Sequence, residues 1–413
     1  MTDSRKTVIT GVGVISPNGI GKTQFWEAIK TGKSGISKIT GFDPSQFPTK
    51  VAGEVKDFVP EDFFDHKKVR RMDRFVQFAM AVAKMAIEDS SLKLNREDHL
   101  RIGVVAGTAT GGQGWVFEQY KIFCSKGYKR LNPFTAVSTF PNAASSQISV
   151  EYKLKGPSIT ISTGCASGGM ALGYGAEMIR SGKVDIVIAV GSEALLYAPI
   201  FGTYCKTGVM SVRDEEPVRT PKPFDRGRDG IVLGEGAGAV ILESAGHALD
   251  RKARIYAELA GWGETCDGYH MITPDPKGLQ AERAIEMALE QSGAGRSGID
   301  YVKTHGVGGV LNDKIETDIS KRIFGKRAYA IPSSSIKSMI GHMQGAAGIV
   351  ETIAGLLAME NDTAPPTINY EDPDPECDLD YVPNKARNMK IGNMLSLSFG
   401  FGGKNTALVL RKI

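Results

Sequence analysis

Short runs of β-branched residues alternate with longer stretches of helical spacing along the chain. The pattern predicts strands at Ile102–Ala106, Ser158–Ser162, Val184–Val190 and Ala239–Leu242, and helices at Met72–Leu92, Ser167–Ser181 and Leu279–Ser292. The last two helices stop at glycine, as helices commonly do. A second series follows, with strands expected at Ile255–Ala260, Tyr301–Thr304, Ala328–Ser333, Met394–Ser398 and Thr406–Leu410 and a helix at Gly345–Asn361. This alternation is that of an α/β protein. Because the series runs twice without a flexible linker or a recognisable repeat, two fused halves are expected, residues 1–250 and 251–413.

The length of 413 residues fits two lobes better than one small core. With 41% hydrophobic and 23% charged residues, disorder is excluded as a class. A net charge of +4, from 50 basic against 46 acidic residues, gives no reason to expect nucleic acid as a partner. Met1 to Gly11 lacks a charged segment followed by an apolar one and reads as a strand at Thr7–Thr10, so no secretory signal is expected. No apolar run reaches the roughly 18 residues of a membrane span, and no membrane partner is expected. The five cysteines show no metal-type pairing, so neither a disulfide framework nor a metal site is expected, and a reducing cytoplasm is the expected location.

Candidate chemistry concentrates in four segments. In Ile159–Gly169 a strand passes through a tight turn at Cys165 into a helix of small residues. A helix N-terminus favours a thiolate, so Cys165 is expected to be a nucleophile of lowered pKa, the alternative being a buried small hydrophobe. Lys303-Thr304-His305-Gly306 and Ser335 to His342 place His305 and His342 at strand ends followed by glycine-containing turns. Each histidine alone is more often structural, but two in matching positions of one lobe, with a cysteine at the equivalent edge of the other, suggest a shared Cys-His-His site. Lys337 and Glu351 can form a buried ion pair or be two solvated charges. The glycine-rich stretch Ser398 to Asn405 can aim backbone amides at a ligand, making an oxyanion hole with the amide of Cys165, or form a plain turn. Asp225–Gly230 and Gly234–Gly238 lack the context of a nucleotide site and are expected to be structural.

Together these segments resemble the β-ketoacyl-acyl-carrier-protein synthases of the thiolase superfamily, the elongating synthase II group in particular. The resemblance runs from Val8-Ile9-Thr10-Gly11-Val12-Gly13 to Phe399-Gly400-Phe401-Gly402-Gly403. It includes Thr163-Gly164-Cys165, Arg228 to Gly236, Lys337 to His342 and Pro365 to Asn369. It implies a thiolase-like five-layered α/β/α/β/α fold of two similar halves, usually a dimer. It also implies that Cys165 takes an acyl chain from an acyl carrier protein, while His305 and His342 assist decarboxylation of a malonyl unit on the carrier's phosphopantetheine. The amides of Cys165 and Phe401 would hold the carbonyl oxygen, Phe401 would gate the site, and Lys337 and Glu351 would organise the histidines. No metal or redox cofactor is implied.

The departures are informative. Val307-Gly308-Gly309-Val310 stands where the family commonly has Thr-Ser-Thr-Pro, which removes two hydroxyls expected on the pantetheine arm. Lys404 replaces a common Thr and Leu397 a common Asn. Three stretches, around Cys165, Lys337 and Cys377, read closer to aromatic type II polyketide ketosynthases, and the Phe-Gly-Phe-Gly-Gly loop reads closer to fatty-acid synthase II. The balance leans towards polyketide chemistry. Thr110 and Thr135 stand where synthase II enzymes carry Ile and Phe that close the acyl pocket, so a longer, more polar tunnel is expected, the alternative being ordinary packed threonines. Lys67, Lys68, Arg71, Lys129 and Arg130 match segments that bear carrier-contacting residues and are expected to steer an acidic carrier protein. Two rival functions remain: a non-catalytic, chain-length-factor-like subunit of a ketosynthase heterodimer, which would lack the nucleophile, and a degradative thiolase. The partner chain can be identical or of that chain-length-factor kind.

Overall fold

The computed structural model describes residues 5–413. Ten strands form one path through an eleven-stranded sheet, with Gly19–Ile20 pairing off it onto Thr7–Ser16. In spatial order they are Ser333–Ser334, Tyr301–Lys303, Asn393–Gly400, Lys404–Arg411, Ala257–Cys266, Thr7–Ser16, Gly236–Ser244, Ile186–Glu193, Ile102–Gly107 and Ser158–Ile161.

The order reads the same from the middle outwards. In the N-terminal series, Thr7–Ser16, Gly236–Ser244 and Ile186–Glu193 are antiparallel neighbours, and Ile102–Gly107 and Ser158–Ile161 continue in parallel. From Ala257–Cys266 the second series repeats that sequence of relations through Lys404–Arg411, Asn393–Gly400, Tyr301–Lys303 and Ser333–Ser334. Among the described residues, strands of the two series pair with each other at Val8 with Glu258 and Ile9 with Ala257.

Helices complete five layers. Arg74–Asp89 packs on the outer face of the first series, and Leu279–Ser292 on the outer face of the second. Between the series lie Ser167–Arg180 and Ala347–Glu360, which touch each other and strands of both halves. Burial on all sides explains their composition: Ala347–Glu360 is buried at every residue but the last, and small residues dominate Ser167–Arg180. Strands covered on both faces read as continuous apolar runs, as Ile186–Glu193 does, rather than as alternation.

Most predicted elements are present with shifted ends. Helix Arg74–Asp89 starts after Asp73, whose carboxylate accepts the Phe75 and Trp115 N–H groups at 2.9 and 2.7 Å. The strand expected at Ala328–Ser333 is a correction. Residues Gly325–Ala330 form a 3-10 turn, and only Ser333–Ser334 pairs, beside Tyr301–Lys303. The apolar content of that stretch reflects packing of Ala328 and Ile331 into the outer core, not sheet pairing.

Candidate active site

The two-fold repeat brings three predicted residues to one place. Cys165 follows edge strand Ser158–Ile161 in the 3-10 turn Gly164–Ala166, directly before central helix Ser167–Arg180. His342 occupies the corresponding region of the second half, after edge strand Ser333–Ser334 and before the turn Gln344–Ala346 and helix Ala347–Glu360. His305 lies just beyond strand Tyr301–Lys303. All three line a cavity of about 290 Å³ together with Gln344, Phe399 and Phe401.

His342 Nε2 is 3.1 Å from Cys165 Sγ, and the two imidazole rings are 5.5 Å apart and nearly perpendicular. The Nδ1 atoms of both histidines are buried without a hydrogen-bond partner. An N–H has no acceptor there, so the proton of each neutral ring belongs on Nε2. For His342 that N–H faces the sulfur. The thiol in turn donates to Gln344 Oε1 at 3.0 Å. Burial, the Lys337 charge and other nearby cationic groups hold both histidines well below the usual imidazole range, so they are neutral donors.

The expected lowering of the Cys165 pKa is overturned. Burial pushes the thiol up to about 12, against the pull of the Phe401 N–H, the Lys337 charge and the Cys165 N–H itself. Desolvation of a thiolate here outweighs the field of a helix N-terminus. Those two N–H groups nevertheless reach the sulfur, so a carbonyl oxygen bonded beside it lies within range of both. The loop approaches closely at Gly400, where a Cβ would stand 3.0 Å from the Cys165 nitrogen and crowd it.

Beneath the histidines lies a buried charged layer. Lys337 donates to the carbonyl oxygen of His305 and pairs with Glu351, and Lys303 pairs with the other oxygen of Glu351. The Lys337–Glu351 pair is therefore buried, and Lys303 is a third member that sequence reasoning passed over, although it stands two residues before His305. Glu316 accepts the N–H groups of His305 and Gly306 at 2.6 and 2.8 Å, and Asp313 accepts those of Val307 and Gly308. Burial raises their pKa values to about 7 and 6 respectively. Their i, i+3 spacing on helix Val310–Phe324 was the available signal. Gln344 had none.

Thr110 and Thr135 do not line the cavity that holds Cys165. The Thr110 hydroxyl donates to Glu193, and Thr135 accepts the Trp115 indole N–H at 3.0 Å. Both hydroxyls are thus engaged by protein side chains, as in ordinary packed threonines. Glu193 also accepts the amides of Ala109, Thr110 and Gly345, tying the loop after Ile102–Gly107 to the turn beside His342. In the Asp225–Gly230 segment, Asp229 and Gly230 line the cavity, and Arg228 pairs with Asp374 and donates to the carbonyl oxygen of Val310 at 3.1 Å.

The basic residues lie elsewhere. Lys67, Arg71, Lys129 and Arg130 are exposed, Lys68 pairs with Glu151, and the Arg71 guanidinium stacks 4.6 Å from the Phe134 ring centroid. Asn132 and Ser138 donate to the carbonyls of Arg70 and Arg71, which brings the two basic segments together. Among the described residues no cluster of three His, Cys, Asp or Glu side chains is arranged to hold a metal, and no helix is long and apolar enough to cross a membrane.

With this geometry established, the chain matches two family models, the beta-ketoacyl synthase N-terminal domain over residues 4–248 and the beta-ketoacyl synthase C-terminal domain over residues 256–371. It is 44% identical over 411 residues to the 3-oxoacyl-[acyl-carrier-protein] synthase 2 of Coxiella burnetii, covering 100% of this chain and 99% of that protein. It is 39% identical to a putative polyketide beta-ketoacyl synthase 1 of Streptomyces halstedii, covering 98% of each. Among solved structures, a type II polyketide ketosynthase bound to its acyl-carrier protein and to a hexaketide superposes with a TM-score of 0.92 at 36% identity, covering 99% of this chain and 100% of that one. The ishigamide ketosynthase/chain length factor gives 0.92 at 34%, covering 99% of each. The chain belongs to the β-ketoacyl synthase family of acyltransferases, with the thiolase-like fold.

Proposed function

We propose that this protein joins an acyl group carried on Cys165 to a malonyl unit presented by an acyl carrier protein, by decarboxylative Claisen condensation. The observation that carries the reading is the contact of His342 Nε2 with Cys165 Sγ at 3.1 Å, with the neutral His305 ring facing the same cavity. Residues 1–250 supply the nucleophile and residues 251–413 the two imidazoles.

In the first half-reaction the Cys165 sulfur attacks the carrier's thioester. The Cys165 S–H bond and the carrier's S–C bond break, the enzyme thioester forms, and the proton leaves on the departing pantetheine thiol. In the second, the C–C bond to the malonyl carboxylate breaks and CO2 departs. The Nε2–H groups of His305 and His342 donate to the malonyl thioester oxygen as the enolate forms. Neutral donors suit this step because they stabilise a developing oxyanion without transferring a proton to it. The enolate carbon attacks the Cys165 thioester, whose oxygen is held by the amides of Cys165 and Phe401, and the expelled thiolate takes up one proton. Lys337 and Glu351 position the His305 loop, and burial together with the charges of Lys337 and Lys303 keeps the imidazoles neutral. No redox cofactor or metal enters this balance.

Lys67, Lys68, Arg71, Lys129 and Arg130 form the surface proposed to meet the acidic carrier. The second chain of a dimer, identical or chain-length-factor-like, is proposed to meet the sheet edge at Ser158–Ile161, where Ile159 and nearby Val150 and Phe140 are exposed. Presence of Cys165, His305 and His342 in one cavity favours the catalytic reading over a scaffold subunit. Intact-protein mass spectrometry after exposure to acyl-loaded carrier tests the first half-reaction. An acyl adduct on the wild type and none on Cys165→Ala is expected, and an adduct on the alanine variant would overturn the assignment.

A further inference from the structure

Gln344 occupies a position where the first half of the fold has glycine. Gly164 opens the turn before Ser167–Arg180 at φ +60°, and Gln344 opens the turn before Ala347–Glu360 at φ +45°. An L residue in this left-handed region strains the backbone in a way glycine does not. Retention of a long side chain at such a place points to a role for the side chain.

That side chain is 1% exposed and directed at the nucleophile. Its Oε1 accepts the Cys165 S–H at 3.0 Å, while its Nε2 is buried with no hydrogen-bond partner. Half of a buried amide is thus unused in the free enzyme, an arrangement that polar groups in protein interiors rarely tolerate. Acylation changes the balance: an Sγ–C bond replaces the S–H bond, so Oε1 loses its donor and the Nε2–H group, unpartnered already, is left to meet the acyl chain. The thioester oxygen falls to the amides of Cys165 and Phe401. The next oxygen within reach of an amide packed against the sulfur is one on the β-carbon of the acyl chain.

We infer that Gln344 is a specificity-determining residue that donates a hydrogen bond to a β-oxygen of the acyl chain on Cys165, selecting 3-oxo or 3-hydroxy chains over saturated ones. Beside the cavity, Tyr204 on helix Ala198–Thr207 stacks against Phe401 with ring centroids 6.4 Å apart. The inference rests on the ketosynthase reading above and adds to it the class of acyl group.

Carrier protein loaded with octanoyl or with 3-hydroxyoctanoyl groups tests it. Acylation rates of Cys165 are followed by intact-protein mass spectrometry for the wild type, Gln344→Leu and Gln344→Met, the unbranched methionine guarding against misfolding of the leucine variant. The wild type is expected to favour the 3-hydroxy chain about tenfold or more. Both variants are expected to lose or invert that ratio. A wild type without the preference, or a ratio unchanged in the variants, would overturn the inference while leaving the ketosynthase reading intact. Failure of both chains to acylate the wild type would overturn both.

Discussion

Lys303 and Lys337 grip opposite oxygens of the Glu351 carboxylate, and all three side chains are essentially excluded from water. Two cations share one anion, and burial correspondingly pushes the Lys303 pKa down. Glu351→Gln strips the counter-charge from two buried ammonium groups, and breaking such a pair costs about 3–5 kcal/mol. Urea unfolding is expected to show a loss of that size, and condensation is expected to fall with it because Lys337 also holds the His305 carbonyl. An unchanged unfolding midpoint would show that the layer carries no net charge to balance.

The state of the Cys165 thiol gives a prediction in pH. Burial raises its pKa to about 12, so below that value the thiol is the dominant form and the thiolate fraction rises about tenfold per pH unit. Alkylation of Cys165 by iodoacetamide, read by peptide mass spectrometry, is expected to accelerate with pH throughout pH 7 to 9. A preformed thiolate–imidazolium pair with His342 would instead give a plateau across that range.

Thr110 is tied to Glu193, which limits what it contributes to an acyl tunnel. Thr110→Ile removes a hydrogen bond to a buried carboxyl group and is expected to destabilise the fold by about 1.5–3 kcal/mol, whereas Thr110→Ser retains the donor. Thermal denaturation of the two variants separates these outcomes. Shorter products from the isoleucine variant at unchanged stability would restore Thr110 as a pocket residue only.

For carrier docking, Lys129 and Arg130 are the cleaner probes, because Lys68 and Arg71 have partners of their own in Glu151 and Phe134. Reversing Lys129 and Arg130 to Glu is expected to raise the KM for the carrier several-fold at low salt and to flatten its salt dependence, with kcat unchanged. Equal KM values at low salt would remove this face from the docking surface.

The parts of this fold that could be read in the sequence are those with a local cause. Leu279–Ser292 was delimited correctly because apolar spacing and the terminal glycine act within one element. Cys165 and His305 stood out because strand ends and glycine turns surround them. Ala328–Ser333 misled because its apolar residues serve the outer core while its backbone turns. The pKa of Cys165 was misjudged because a helix terminus is visible in sequence and the desolvation that overrides it is not. Gln344 and Glu193 gain their meaning from partners 179 and up to 152 residues away, brought close only by the repeat of the two halves.

The central claim is that His305 and His342 drive decarboxylation of a malonyl unit whose carbanion is captured by the acyl group on Cys165. A single turnover tests it most directly, with enzyme acylated on Cys165 and mixed with malonyl carrier protein labelled at the free carboxylate. The account predicts that the label leaves as CO2 while the acyl group leaves Cys165 and appears on the carrier two carbons longer. Label retained on the carrier product, or an acyl group that stays on Cys165, would contradict it.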